Sequence, residues 1–270
     1  MKSFLKKYIS VAFPSILKFY RERRILNKMR SEPQVLENGT SFYGIQNAKN
    51  YEPTVFSHIE RLAKNYNNFV NVGANHGFYV FSFHHEFKQI VAVEALHHNI
   101  QAIAKNVEKN NLHNKVFIAP YAASEKKEVI RFFGTGSGGS LLKGFNKQYD
   151  DGVFVQAVNL DELIPLHFKD ESTLYLIDVE GAEWQVLKGA KNLINTPNSV
   201  FVVEICCREF MPNEEFGQDF SSIFELFFAN GYKAREIMSD GSLKDITFES
   251  VENIISSNRY EGMMVIFEQN

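Results

Sequence analysis

Cysteine is nearly missing from this chain: there are two, Cys206 and Cys207, and they are neighbours. Consecutive α-carbons lie about 3.8 Å apart, closer than an ordinary disulfide permits, so the pair offers no disulfide framework. They read as free thiols near the end of a buried strand, which suits a reducing, cytoplasmic compartment. No further ligands stand around them at metal-binding spacing. Long apolar runs are missing too. The uncharged run from Tyr8 to Leu17 is too short to span a bilayer, and no small-residue cleavage site follows it. Nor does one charge predominate: a formal net charge of −3 gives no overall attraction to nucleic acid.

What is present is ordinary for a globular protein, with 44% hydrophobic and 23% charged residues. A length of 270 residues allows one large domain plus an extension. The 25 phenylalanines sit mostly inside apolar runs, which predicts an aromatic core and not a base-stacking surface. Residues 1–30 stand apart, because Lys2, Lys6, Lys7, Lys18 and the arginines from Arg21 to Arg30 face a single acid, Glu22. Leu5, Ile9, Phe13, Ile16, Leu17 and Tyr20 recur between them at roughly helical spacing. This predicts a basic amphipathic helix, either a cap on the main domain or a peripheral contact with an anionic inner-membrane surface. Glu32 to Asn50 reads as a connector, so the expected organisation is an extension over 1–50 and a main domain over 51–270.

The organising stretch begins at Phe69. An apolar run to Val72 breaks at Gly73-Ala-Asn75-His-Gly77 and resumes as an apolar segment, the pattern of a buried strand turning sharply into a helix. Such a loop lets backbone N–H groups approach a ligand. About twenty residues on, Ile90 to Val93 ends in Glu94, a carboxylate placed to accept both hydroxyls of a ribose. The dinucleotide fingerprint G-x-G-x-x-G is incomplete: its second glycine is Asn75 and its third is Phe78. The loop therefore suits a ribose-bearing cofactor without a diphosphate, such as S-adenosylmethionine. A nicotinamide-dependent oxidoreductase and a non-catalytic cofactor-binding scaffold are the alternatives.

Further strands are predicted at Val116 to Ala119, around Val129 to Phe133, at Leu174 to Asp178 and at Val200 to Ile205. Tyr232 to Ile237 and Met263 to Phe267 close the sheet. Helices alternate with them, including Asn99 to Asn110 and Ile223 to Asn230 before the stop signal Gly231. Alternation of this kind implies an α/β fold, a mainly parallel sheet with helices on both faces. Gly73, Glu94, Asp178 and Glu204 all fall at strand ends, where ligands bind in such sheets. Asp178, Glu180 and Glu183 form an acidic group able to raise one member's pKa and supply a general base. Asp178 with Glu204 also offers oxygen ligands for a divalent cation, although a full ligand set is not visible. His76, in the loop, is a second candidate base.

The blocks Asn71-Val-Gly-Ala-Asn75-x-Gly77, Ala92-Val-Glu94, Asn159-Leu-Asp-Glu-Leu163 and Ile177-Asp-Val-Glu-Gly-Ala-Glu183, then Gly189-Ala190, resemble the FkbM family of S-adenosylmethionine-dependent methyltransferases. The resemblance runs from about Asn68 to Glu204. It implies a class I methyltransferase (Rossmann-like) fold with a seven-stranded sheet whose last strand is antiparallel. It also implies O-methylation of a sugar, glycan, glycolipid or related small molecule. Two positions depart from the family: Asn71 replaces a common aspartate, and Ala95 a common proline. On this reading Asn71, Gly73, Asn75, Gly77, Glu94, Ala122 and Asp178 border the cofactor, and Asp178, Glu180 and Glu183 serve catalysis. Gly134 to Ser140 is a mobile loop on composition, and from its glycine content Ser137 to Ser140 is expected over the acceptor.

Overall fold

The computed structural model describes residues 23, 27, 32–44, 50–134, 139–143, 152–206, 216–257 and 262–269. The amphipathic segment expected over 1–30 lies outside the described residues apart from Arg23 and Asn27, which are helical, and Cys207 lies outside them as well.

A short hairpin, β1 (Gln34–Val35) and β2 (Ser41–Phe42), precedes helix α1 (Pro53–Ala63), which starts on Pro53, where a missing N–H costs nothing. The fully buried β3 (Asn68–Val72) leads into α2 (Phe78–Phe83). Then come β4 (Gln89–Val93), α3 (His97–Lys109), β5 (Val116–Ala119) and β6 (Ala122–Ala123). Strands β7 (Glu128–Phe133) and β8 (Gly152–Val158) form an antiparallel arm. The chain continues through α4 (Leu160–Leu163), β9 (Thr173–Ile177), α5 (Glu183–Lys188), α6 (Lys191–Ile194) and β10 (Ser199–Ile205). It ends with α7 (Phe216–Ala229), β11 (Tyr232–Ile237), β12 (Leu243–Ile246), α8 (Phe248–Ser256) and β13 (Met263–Gln269).

The main sheet has the order β12-β11-β13-β10-β9-β3-β4-β5. Strands β5, β4, β3, β9 and β10 are parallel, and β13 inserts antiparallel between β10 and β11. This is the class I methyltransferase fold. The sheet has eight strands, one more than the seven expected. The extra strand, β12, pairs with β11 at the edge, and its exposed Lys244 and Asp245 leave little apolar signal to read.

Strand residues alternate between two cores. On one face Phe69, Leu174, Leu176, Val200 and Val202 pack with Ile59 of α1, Phe81 of α2 and Ile103 of α3. On the other, Val70, Tyr175, Ile177, Phe201 and Val203 pack with Leu187 of α5, Ile194 of α6 and Phe224 of α7. Both faces are covered, so the strands read as continuous apolar runs. The phenylalanines form the core as expected: Phe201 stacks on Tyr175 at 4.5 Å and Phe227 on Phe267 at 3.8 Å. Each fully buried ring contributes about 2–3 kcal/mol.

Much of the supposed connector is tied to this body. Leu36 and Phe42 are buried in the core. Asn38 Nδ2 donates to the Phe81 carbonyl at 2.9 Å, and the Tyr43 N–H donates to Asn106 Oδ1 at 2.7 Å. The chain order reverses between β4 and β9 on either side of β3, which opens a crevice at the strands' carboxyl ends.

Candidate active site

A cavity of about 310 Å³ occupies that crevice. Its floor is the turn after β3. Gly73 has φ +81°, and a Cβ there would lie 1.8 Å from the Asp178 carbonyl oxygen, so only glycine lets the turn rest against the end of β9. The N–H groups of Gly73 and Ala74 both donate to the Val93 carbonyl at 3.0 Å, tying the turn to β4. Asn75 is left-handed (φ 52°), and its N–H donates to Glu94 Oε2 at 2.8 Å.

Glu94 is 6% exposed, lines the cavity, and also accepts from the Leu96 N–H through Oε1 at 2.8 Å. Burial pushes its carboxyl up to about 7, against the pull of the Leu96 and Asn75 N–H groups. A carboxylate offers about four lone-pair sites, on which the Leu96, Asn75 and Ala95 N–H groups and the Asn99 side chain draw. Ala122 and Ala123 form a small-residue wall beside Tyr121.

The opposite wall is acidic. Asp178, Glu180 and Glu204 line it, joined by Tyr51 and Glu52 from the start of α1. Burial, and then the neighbouring Glu204 carboxyl, raise Asp178 well above the usual carboxylate range. Glu204 acts on Asp178 both as a like charge and as a hydrogen-bond partner. Burial, followed by Glu204 and Glu183, pushes Glu180 up to about 8. Glu180 is itself left-handed at φ 55°, and Gly181 follows at φ 96°, a conformation glycine adopts freely. Glu52 accepts from the Tyr79 hydroxyl at 2.5 Å, and burial raises it too.

Not every expected residue reaches the cavity. Glu183 is 1% exposed, takes the Gly181 N–H at 2.8 Å, and does not line the cavity. Burial pushes it up to about 7. Asn71 is buried beneath the floor, beside a smaller void of about 20 Å³. Gly77 (φ +85°) precedes α2 and shapes the turn without touching the main cavity. His76 is turned inward, 1% exposed, and burial lowers it to about 4. Asn159 and Asp161, from the third sequence block, are structural: Asn159 accepts from the Glu162 N–H at 2.8 Å, and Asp161 caps α6 through Asn192 and Leu193 at 3.0 Å. From the glycine-rich stretch, Gly139 lines the cavity with Leu141 and Phe132, while residues 135–138 lie outside the described residues. Among the described residues no group of three or more His, Cys, Asp or Glu is placed to hold a metal ion. Cys206 is buried, and burial pushes its thiol up, away from nucleophilic chemistry.

Sequence reasoning passed over Tyr51, Glu52, Tyr121 and Asn99. Asn99 is 2% exposed, lines the cavity, and its Oδ1 has no hydrogen-bond partner. Its side chain is hydrogen-bonded to Glu94.

Comparison with known proteins settles the family. The chain matches the methyltransferase FkbM domain over residues 71–234, more than half its length. It belongs to that family. No curated protein matches this FkbM-family chain. Among solved structures, an FkbM methyltransferase from Methylobacillus flagellatus KT is 12% identical with a TM-score of 0.47, covering 76% of this chain and 44% of that one. This chain thus spans less than half the length of that relative. An O-methyltransferase from Bacillus cereus, in complex with SAH, is 16% identical with a TM-score of 0.47, covering 98% and 97% of the two chains. A precorrin-6y C5,15-methyltransferase from Geobacter metallireducens GS-15 is 9% identical with a TM-score of 0.42, covering 88% and 100%. No described helix is long and apolar enough to cross a membrane.

The buried acids set the pH dependence of stability. Glu94, Glu180 and Glu183 keep their protons to higher pH when folded than when unfolded. Stability contributed by the protonated forms is therefore lost as pH rises through about 7–8. His76 and His84, lowered to about 4 by burial, act in the opposite sense, so stability is also lost as pH falls below about 6.5. Thermal melts of the cofactor-free protein at constant ionic strength should fall by roughly 5 °C from pH 6.5 to pH 8.5, where the carboxyls and not the histidines set the slope. A melting temperature that rises over that interval would contradict the burial of these acids.

Proposed function

We propose that this FkbM-family protein is an S-adenosylmethionine-dependent O-methyltransferase acting on a hydroxyl of a sugar, glycan, glycolipid or related small molecule. The supporting observation is that one cavity is lined both by Glu94, a buried carboxylate at the end of β4, and by the acids Asp178 and Glu180. The residues fit the cofactor: the floor at Gly73 admits close approach, and Asn99 Oδ1 and Asn75 Oδ1 are both buried without partners. When bound, S-adenosylmethionine supplies an electrophilic methyl group.

The chain's own residues do the rest. Glu94 and Asn99 hold the ribose, Ala122 and Ala123 leave room for a flat ring, and Gly73 and Asn75 carry the amino-acid end. Phe132 and Leu141, from the β7–β8 side, exclude water. Asp178 and Glu180 orient the acceptor hydroxyl, and Glu180 takes its proton, a role suited to a carboxyl raised to about 8. Orientation of this kind supplies up to about 7–11 kcal/mol of barrier reduction in favourable model systems. The nicotinamide alternative is disfavoured by Phe78, which stands where the third glycine would allow close packing and instead packs its ring on Phe42, Tyr51 and Phe56.

The test is incubation with methyl-labelled S-adenosylmethionine and an extract of the source cell, followed by mass spectrometry. The expected product is a labelled methyl ether on a carbohydrate or related alcohol. Label found only on nitrogen, on protein, or nowhere would overturn the assignment.

A further inference from the structure

The turn that floors the cavity is held from outside by Asn106, a residue of α3 that the chemistry does not use. Asn106 is wholly buried, and its side-chain amide meets three backbone groups. Oδ1 accepts the Tyr43 N–H at 2.7 Å, and Nδ2 donates to the Tyr43 and His76 carbonyls, each at 3.2 Å. Both N–H donors of the amide are spent, and the partners themselves fix which end is oxygen and which nitrogen. His76 lies inside the turn, which the Gly77 N–H closes onto the Ala74 carbonyl at 2.7 Å. One residue earlier, the left-handed Asn75 gives its N–H to Glu94. The His76 ring is no anchor for this backbone, since neither of its nitrogens has a hydrogen-bond partner among the described residues. The amide of Asn106 is.

Asn110, one helical turn further on, makes a similar clasp on Ser41: Oδ1 accepts the Ser41 N–H at 3.0 Å and Nδ2 donates to the Ser41 carbonyl at 2.8 Å. Two asparagines four apart on one helix face thus hold alternate residues of an extended segment, as a neighbouring strand would. Ser41 and Tyr43 lie before the family-matched segment 71–234, whereas His76, Asn106 and Asn110 lie within it. The two asparagines differ in their remaining donor. Asn110 gives its own to the Asn106 carbonyl at 2.8 Å, inside the helix, while Asn106 gives its own to the cofactor turn. Of the two, only Asn106 joins the leading segment to that turn. A leucine would fill the same space without having to pair buried polar atoms, so the amide specifies geometry beyond packing.

We infer that Asn106 is a positioning residue for cofactor binding: it holds the turn at His76 in the form that presents Asn75 and Glu94 to the cofactor, and it ties that form to the docked segment at Tyr43. The inference rests on the S-adenosylmethionine reading of the cavity. Asn106 does not line the cavity, so it acts through the turn and not by touching a ligand. Its loss therefore lowers cofactor affinity beyond any loss of stability.

Calorimetric titration of S-adenosylhomocysteine into the full chain tests this, with a melting temperature recorded for each variant. Asn106→Ala should bind about tenfold more weakly than the wild type, and Asn110→Ala within about twofold of it, although each loses one clasp on the leading segment. Asn106→Asp separates the contacts of the one side chain. It keeps an oxygen for the Tyr43 N–H but has no donor for the His76 carbonyl, so it should weaken binding by about tenfold or more. Unchanged affinity in Asn106→Ala or Asn106→Asp, or an equal loss in Asn110→Ala, would overturn the inference. Should neither Asn106 variant fold, residue-resolved hydrogen exchange of the wild type decides. Saturating S-adenosylhomocysteine should then slow exchange at the Tyr43 N–H about tenfold more than at the Ser41 N–H, and an equal change at both would overturn the inference. A wild type that does not bind S-adenosylhomocysteine overturns the cofactor reading and this inference with it. Binding by the wild type with no difference between the Asn106 and Asn110 variants overturns this inference alone.

Discussion

Asp178→Asn and Glu180→Gln should each slow methyl transfer by about 10²–10⁴-fold while leaving the affinity for S-adenosylhomocysteine within about threefold. Both changes keep shape and remove an ionisable proton acceptor. At position 178 an asparagine still hydrogen-bonds Glu204, so the wall keeps its geometry. At position 180 the left-handed turn with Gly181 is unchanged by an isosteric amide. The expected loss therefore falls on turnover. Single-turnover kinetics with the acceptor identified by labelling would check it. Full activity in both variants would remove these acids from the chemistry, and a parallel loss of cofactor affinity would make them part of the binding site instead.

The positions that end apolar runs were the legible ones. Gly73, Glu94, Asp178 and Glu204 each follow a stretch that can only be a buried strand, and a parallel sheet sends all such ends to one edge. The turn residues were legible for the same reason, because glycine and asparagine after a strand announce left-handed backbone. Glu183 was misplaced in expectation because composition cannot say which way a carboxylate points. The helix start at Ala182 turns it back onto the Gly181 N–H, whereas Glu180, three residues earlier, is lifted into the cavity. Glu52 was hidden by distance: locally it is only the residue before Pro53, and it reaches the acids because α1 packs over β3 and α2. Asn99 was hidden by periodicity, since the helix reads through Ile100, Ile103 and Val107, and a polar residue in a first turn shared with His97 and His98 looks solvated. Strand β8 and the edge strand β12 escaped notice because their exposed positions break the apolar pattern.

Glu94 carries the other large effect. Its oxygens accept the Asn75 and Leu96 N–H groups at 2.8 Å, and ribose hydroxyls would share its acceptor capacity with these and with the Asn99 side chain. A ribose presents two hydroxyls at matching separation. Hydrogen bonds to a charged acceptor are worth about 1.5–3 kcal/mol each, so losing both weakens binding by about 100-fold or more. Because removal of the side chain also frees the Asn75 and Leu96 N–H groups, Glu94→Gln provides the milder comparison. It retains one oxygen and should lose about tenfold.

The most direct measurement is therefore a calorimetric titration of S-adenosylhomocysteine into the wild-type protein and Glu94→Ala, with melting temperatures recorded for both. Saturable micromolar binding by the wild type, weakened about 100-fold in a still-folded Glu94→Ala, is the predicted result. Absence of binding by the wild type, or equal affinity in the two proteins, would contradict a ribose held at the end of β4.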